Sequence, residues 1–178
     1  MKLETERLLL RAWDLQADLH AMAAIFADPV VREYFPGTLS RMETRAVLET
    51  CSERYARHGF SFQPLVRKSD GQVLGWIGLD RFSFSFPDTD DHSGVEIGWV
   101  LAQEHWGQGY VTEMGLALVE YAREVLRLDN IVSFTVPTNL RSQAVMKRLG
   151  MKPWGGFAHP KLPADHPLSE HVRFRLDF

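Results

Sequence analysis

Trp106-Gly107-Gln108-Gly109-Tyr110 stands between a stretch that reads as a strand and one that reads as a helix. Upstream, Val95, Ile97, Trp99 and Leu101 share one face of a period-two pattern, which leaves Glu96, Gly98, Val100 and Ala102 on the other. Downstream, Val111, Met114, Leu118, Ala122 and Val125 recur at helical spacing, with Glu113, Glu120, Arg123 and Glu124 on the remaining faces. The pentapeptide is therefore a strand-to-helix connection. Its two glycines permit unusual backbone angles and a close approach of a ligand. The free N–H groups of a first helical turn, at the positive end of the helix dipole, suit a phosphate or pyrophosphate there. A tight turn without a ligand is the other reading of a Gly-x-Gly pair.

Two familiar phosphate motifs are excluded. Thr112 occupies the position of the third glycine of the dinucleotide fingerprint, and no Gly-Lys-Ser/Thr ending of a P-loop is present. A nucleotide-binding module of either kind is therefore a poor reading.

Working outward, a strand over residues 95–101, a helix over 107–126, a strand over 131–136 and a helix over 139–149 form a strand-helix-strand-helix unit. Two strands joined through a helix are usually parallel, and such sheets bind ligands at the carboxyl ends of their strands. Toward the N-terminus, the alternation of Leu8, Leu10 and Ala12 with Arg7, Leu9 and Arg11 predicts a strand over residues 3–13. Helices are expected over 15–27 and 40–58, the second with Ser40 and Glu43 spaced as a capping box and Gly59 at its end. Strands over 60–66 and 73–86 flank Ser69-Asp70-Gly71 as an antiparallel hairpin. Residues 151–157 and 171–176 add two more strands across a Pro-rich loop.

The chain has 178 residues, 45% hydrophobic and 24% charged, which is the usage of one ordinary globular domain with a core of its own. Twenty Lys and Arg against 23 Asp and Glu give a net charge of −3, which disfavours nucleic acid and anionic membranes as partners. Cys51 is alone, so no disulfide framework is expected. The longest apolar stretch, residues 21–27, is far short of the roughly 20 needed to span a bilayer. Glu4, Glu6, Arg7 and Arg11 break up any signal-peptide pattern, so a cytoplasmic protein is expected, as a monomer or homodimer.

Four segments, in order, resemble the GNAT superfamily of N-acetyltransferases, most closely its RimJ/RimL-like branch of ribosomal-protein acetyltransferases. Thr5-Glu6-Arg7-Leu8-Leu9-Leu10-Arg11 is similar to that branch's first strand, and Glu96-Ile97-Gly98-Trp99-Val100-Leu101 to its fourth. Trp106-Gly107-Gln108-Gly109-Tyr110 resembles its pyrophosphate loop, and the stretch from Asn139 to Met151 its Asn-x-x-Ser helix with a Leu-Gly-Met ending. The chain departs from the broader superfamily at Trp106, often Gln or Arg there, and at Val111, often Gly or Ala. It also lacks any tyrosine after Tyr121, where many members place one against the sulfur of coenzyme A.

The resemblance implies a single α/β domain over residues 1–178, with a mixed, splayed sheet of about seven strands and about four flanking helices. It implies acetyl-CoA as co-substrate, with no metal. The pantetheine arm would enter the splay and pair with backbone at Val100, Leu101 and Ala102. The phosphates would meet Trp106, Gly107, Gln108, Gly109, Tyr110, Val111 and Thr112, with Asn139 and Ser142 beside the cofactor. The acceptor would be a primary amine, either a protein N-terminal α-amine or a small molecule, acetylated directly in a ternary complex. A noncatalytic acyl-CoA-binding or regulatory module on the same fold is the competing reading.

An amine acceptor is mostly protonated at neutral pH, with a reference pKa of about 8 for an α-amine and about 10.4 for lysine, so a base is needed. Glu96 is the candidate, acting directly or through water; an exposed or Arg-paired sheet carboxylate is its other reading. A backbone N–H near Val100 is the candidate donor to the oxyanion. Ser142 is the candidate donor to the departing sulfur, or simply a first-turn residue behind the cap Asn139. Cys51, mid-helix and without a histidine at nucleophile spacing, reads as an inert thiol.

Three further features carry weaker signals. His159, His166 and His171 flank a Pro-rich segment in no usual zinc spacing; a rigid surface loop is the first reading and a wall of the acceptor pocket the second. Residues 88–94 read as a solvated acidic turn rather than a calcium loop, because Ser93 and Trp99 stand where glycine and glutamate are required. Phe82, Phe84 and Phe86 read as core or dimer surface.

Overall fold

The computed structural model describes residues 1–82, 84, 86 and 94–178. In chain order the elements are β1 (Leu3–Glu4), β2 (Leu8–Leu10), α1 (Leu15–Ala27), α2 (Arg41–His58), β3 (Phe62–Arg67), β4 (Val73–Phe82) and β5 (Gly94–Leu101). A 3-10 turn (Gln103–His105), α3 (Tyr110–Glu124), β6 (Asn130–Thr135), α4 (Leu140–Arg148), β7 (Lys152–Ala158) and β8 (Glu170–Asp177) follow. The strands form one open mixed sheet of eight in the order β1-β2-β3-β4-β5-β6-β8-β7. β5 and β6 run parallel, as the crossover through α3 dictates.

The expected first strand is in fact a hairpin, which raises the strand count from about seven to eight. The Thr5 N–H donates to the Leu8 carbonyl at 3.0 Å, and the chain folds back so that Leu3 pairs with Leu10. Glu113 of α3 draws that turn in, accepting from the Thr5 hydroxyl at 2.5 Å and the Arg7 N–H at 3.0 Å. Alternation of side chains continues on both sides of such a turn, so the pattern alone reads as one strand.

The helices begin and end where their caps stand. Asp14 accepts from the N–H groups of Gln16 and Ala17, and Ser40 and Glu43 form a complete capping box. Gly59 ends α2 at φ 79°, in the left-handed region that favours glycine.

α3 and α4 cover one face of the sheet, where Met114, Leu118, Ala122, Met146 and Leu149 pack with Leu8, Leu10, Leu65, Ile77, Leu79 and Ile97. Val125, expected on the apolar stripe of α3, is instead 61% exposed because the helix stops at Glu124. α1 and α2 cover the opposite face, with Met22, Phe26 and Leu48 against Val100. Phe82 and Phe86 are buried with Val132 and Phe157, and Phe84 packs against that group, so the phenylalanine series is core. The acidic turn expected over 88–94 lies outside the described residues except for Gly94. Among the described residues, no helix is long and apolar enough to cross a membrane.

Candidate active site

The site begins as a failure of strand pairing. β4 pairs with β5 along the whole length of β5, from Phe82 opposite Gly94 to Gly75 opposite Leu101. β5 and β6 pair only where Glu96 meets Val132, and beyond that point the sheet opens. Gly75 lets the two long strands close tightly, since a Cβ there would stand 2.1 Å from the Val100 carbonyl oxygen.

The opening leaves backbone groups of β5 turned toward β6. The Ala102 N–H donates to the Leu74 carbonyl at 2.9 Å, one step beyond the register that pairs Gly75 with Leu101 and Trp76 with Val100. Antiparallel pairs alternate in their hydrogen bonding, so the Val100 N–H also turns toward β4, while Trp99 and Leu101 present theirs to the gap. The Leu101 carbonyl on that side accepts from the Trp106 indole at 3.0 Å. The backbone donor sought near Val100 therefore belongs to its neighbours.

A cleft of about 1200 Å³ runs through this opening. Val100, Leu101, Trp106, Gly107 and Gly109 line it, as do Tyr110, Val111 and Thr112 of the first turn of α3. Ala102 and Gln108 do not line it: the first spends its N–H on β4, and the second turns its side-chain amide onto the Glu104 carbonyl at 2.8 Å. Gly107 and Gly109 take φ 75° and 80°, which strains any residue with a Cβ. Space beside Gly107 is open, so its glycine requirement is conformational. Arg7 fixes the loop from behind, donating to the Gln108 carbonyl at 3.1 Å and to Glu113 at 2.6 Å.

Asn139 and Ser142 line the cleft from α4. Asn139 caps the helix, accepting from the Ser142 N–H at 3.1 Å, and donates its amide to the Thr135 hydroxyl at 3.0 Å. The Ser142 hydroxyl makes no hydrogen bond among the described residues. Arg141 and Arg148 of the same helix also face the cleft, and Arg141 stacks 4.2 Å above the Trp106 ring. Two cations and a helix N-terminus thus surround one end of the cavity, an arrangement complementary to a phosphorylated ligand.

Glu96 lies at the other end, half-buried, and points to the α1/α2 face as alternation predicts. Its carboxyl makes no hydrogen bond or ion pair among the described residues. Burial pushes its pKa up to about 8, helped by the Asp80 carboxylate and opposed by Lys161 and Arg54. Asp80 is fully enclosed and ion-paired with Arg54 of α2. Aromatic residues line other parts of the cleft: Tyr34 and Phe35 from the α1–α2 connection, Phe62 and Trp76 from β3 and β4, and Phe134 from β6.

The Pro-rich segment closes the remaining side. His159, Lys161, Leu162, Leu168 and His171 line the cleft, while His166 turns away and accepts from the Leu168 N–H at 3.1 Å. The wall residues Tyr34, Phe35, Phe62, Trp76 and Phe134 carried no signal in the sequence, because aromatic residues on strands and connections look the same in a core and in a pocket. Cys51 is buried in α2, its thiol pushed up to about 12 by burial and by Asp80.

The family model described as an acetyltransferase (GNAT) domain matches residues 7–152. A Bacillus subtilis protein named as an uncharacterised N-acetyltransferase, YnaD, is 27% identical over 158 residues, covering 88% of this chain and 86% of its own. The crystal structure of the acetyltransferase from Agrobacterium tumefaciens is similar at a TM-score of 0.79 and 28% identity, over 100% of this chain and 95% of that one. Ribosomal-protein-S5-alanine acetyltransferase from Vibrio fischeri has the same fold at 16% identity and a TM-score of 0.77, over 99% and 96% of the two chains. The β5–β6 opening and the glycine loop lie within the matched residues, and the chain belongs to the GNAT family of acetyltransferases.

Proposed function

We propose that this protein transfers the acetyl group of acetyl-CoA directly to a primary amine, within a ternary complex of both substrates. The observation that carries the reading is the opening between β5 and β6, which joins the N-terminal amides of α3 on one side to the Glu96 carboxyl on the other. Acetyl-CoA brings the acetyl group as an activated thioester. Its phosphates fit the amides of Tyr110, Val111 and Thr112, with Arg141 and Arg148 alongside. Its pantetheine arm fits the gap, where Trp99 and Leu101 offer backbone groups and the same N–H donors face a developing oxyanion.

Glu96 is the proton acceptor for the incoming ammonium. A carboxyl with a pKa of about 8 matches the strength of an α-amine, whose reference value is also about 8, so proton transfer between them costs little. Ser142 supplies a hydroxyl to the departing sulfur, and Asn139 holds the helix that presents it. Positioning of amine and thioester within the cleft supplies much of the acceleration.

The fold of the Vibrio fischeri enzyme supports the RimJ/RimL-like branch and, with it, a protein N-terminal α-amine as acceptor. Calorimetric titration with acetyl-CoA, with ATP and NAD as controls, tests the first step; selective micromolar binding is expected. An acceptor panel of a free-N-terminal tetrapeptide, spermidine and phenethylamine tests the second. Tight binding without turnover of any amine would favour a noncatalytic acyl-CoA-binding module.

A further inference from the structure

His159 and His171, which line the cleft, are left without a role by this mechanism. His171 stands near the start of β8 and His159 just after β7, with ring centroids 4.9 Å apart and both rings packed on Phe134 and Phe157. Register places them on the side of the sheet that carries Glu96. Glu96 pairs with Val132, Val132 with Arg175, and His171 lies an even number of residues from Arg175 along β8.

Backbone contacts settle which ring nitrogen of each carries hydrogen. The His171 Nδ1 lies 3.1 Å from the Ser169 carbonyl oxygen, which only accepts, so Nδ1 is the protonated nitrogen and Nε2 holds the lone pair. The His159 Nδ1 accepts from the Lys161 N–H at 3.3 Å, so that ring carries its hydrogen on Nε2 instead. Neither Nε2 has a partner among the described residues. The fold thus presents one imidazole donor and one imidazole base to the acceptor end of the cleft, the base oriented by a carbonyl as a catalytic histidine requires.

We propose that His171 Nε2 is a second proton acceptor for the acceptor amine, beside Glu96. The proposal rests on the reading of this cleft as the site of an amine acetyltransferase. In the step, an N–H bond of the substrate ammonium breaks, its electron pair stays on nitrogen, and the proton passes to His171 Nε2. The nitrogen pair forms the new N–C bond as the C–S bond of the thioester breaks and its electrons leave with the thiolate. The imidazolium then returns its proton to the thiolate or to solvent.

The charged surroundings divide the work between the two bases. Around His171 stand neutral His159, held down to about 4 by burial, His171 and Lys161, with Glu170 adjacent on β8. Arg173, on the same face of β8, is stacked on Phe86 and Trp154. β6 and β7 present Phe134 and Phe157 to the ring. Burial keeps His171 below its ordinary value, so it is neutral and basic at pH 7, where Glu96, facing Asp80, Arg54 and Lys161, still carries its proton.

The test is the pH profile of kcat/KM for the best amine of the panel, in the parent and in His171→Gln. His171→Gln is expected to lose roughly 100-fold or more at pH 6.5 and less than about 10-fold at pH 9, where the Glu96 carboxylate takes over. A profile parallel to the parent's, whether unchanged or lowered equally at every pH, overturns the proposal while leaving the amine reading intact. A parent that acetylates no amine overturns both. Ring nitrogen NMR of the parent gives a readout independent of turnover and of how well the variant folds. It should show His171 as the Nδ1–H tautomer, and an Nε2–H tautomer would sink the idea.

Discussion

Asp80 and Glu96 stand directly opposite one another across the β4–β5 ladder, two carboxyl groups on one face of the sheet. Like charges opposed in this way are unfavourable. Arg54 pairs with Asp80, and Ser61 donates to it at 3.3 Å. Glu96, with no such partner, keeps its proton, and this asymmetry makes it a base of unusual strength.

Glu96→Gln should remove the rise in kcat/KM that accompanies ionisation near pH 8, and it should also change stability. Glu96 has its pKa raised from 4.5 to about 8 in the folded protein, so between those values the folded state binds more protons than the unfolded one. Its stability contribution is full below pH 4.5 and is lost as pH climbs to about 8. The glutamine variant carries no such loss, and urea titrations should find it more stable than the parent at pH 8.5 by roughly 1–3 kcal/mol, with little difference at pH 4.5. Equal stability at both pH values would contradict the burial of this charge.

Asp80→Asn removes the carboxylate that opposes ionisation of Glu96 and leaves the Arg54 cation to favour it. Both effects act in one direction. The limb of the pH-rate profile assigned to Glu96 should move to lower pH, by about one unit or more, although Asp80 lies outside the cleft lining. A limb that stays in place would show that the two carboxyls are not coupled.

Gly109→Ala and Gly107→Ala should each cost about 1–2 kcal/mol of stability, because both sites hold positive φ while neither has a close obstacle to a Cβ. Gly107→Asn should be milder, since asparagine tolerates that region. The same alanine variants should weaken acetyl-CoA binding measured by calorimetry by at least about tenfold, through displacement of the first-turn amides. Undiminished affinity would mean that the phosphates bind elsewhere.

Cys51→Ala should leave turnover within about twofold of the parent and cost stability only as a small cavity does. In the folded protein the thiol should resist alkylation at pH 8, since burial and Asp80 hold it up near 12. Rapid alkylation without unfolding would show an access route to α2 that the packing denies.

Most elements could be read from the chain because they are encoded locally. Asp14, Ser40, Glu43 and Gly59 mark helix ends by hydrogen bonds and angles within a few residues of themselves. The glycine loop was legible for the same reason: a strand, two glycines and an amphipathic helix adjoin in sequence. The first strand misled because its turn is fixed by Glu113, more than a hundred residues away.

The sequence by itself determined a single α/β architecture and marked Glu96, the Gly107–Gly109 turn, Asn139 and Ser142 as positions of interest, since alternation and spacing survive any arrangement of the elements. The tertiary structure alone decided what those positions can do. It stopped the β5–β6 pairing after Glu96, turned the Trp99 and Leu101 amides into the gap, set Asp80 against Glu96 and brought the His159 and His171 rings together. Protonation and hydrogen-bond roles depend on charges and dipoles brought within a few ångströms by folding, and such neighbours are not neighbours in the chain.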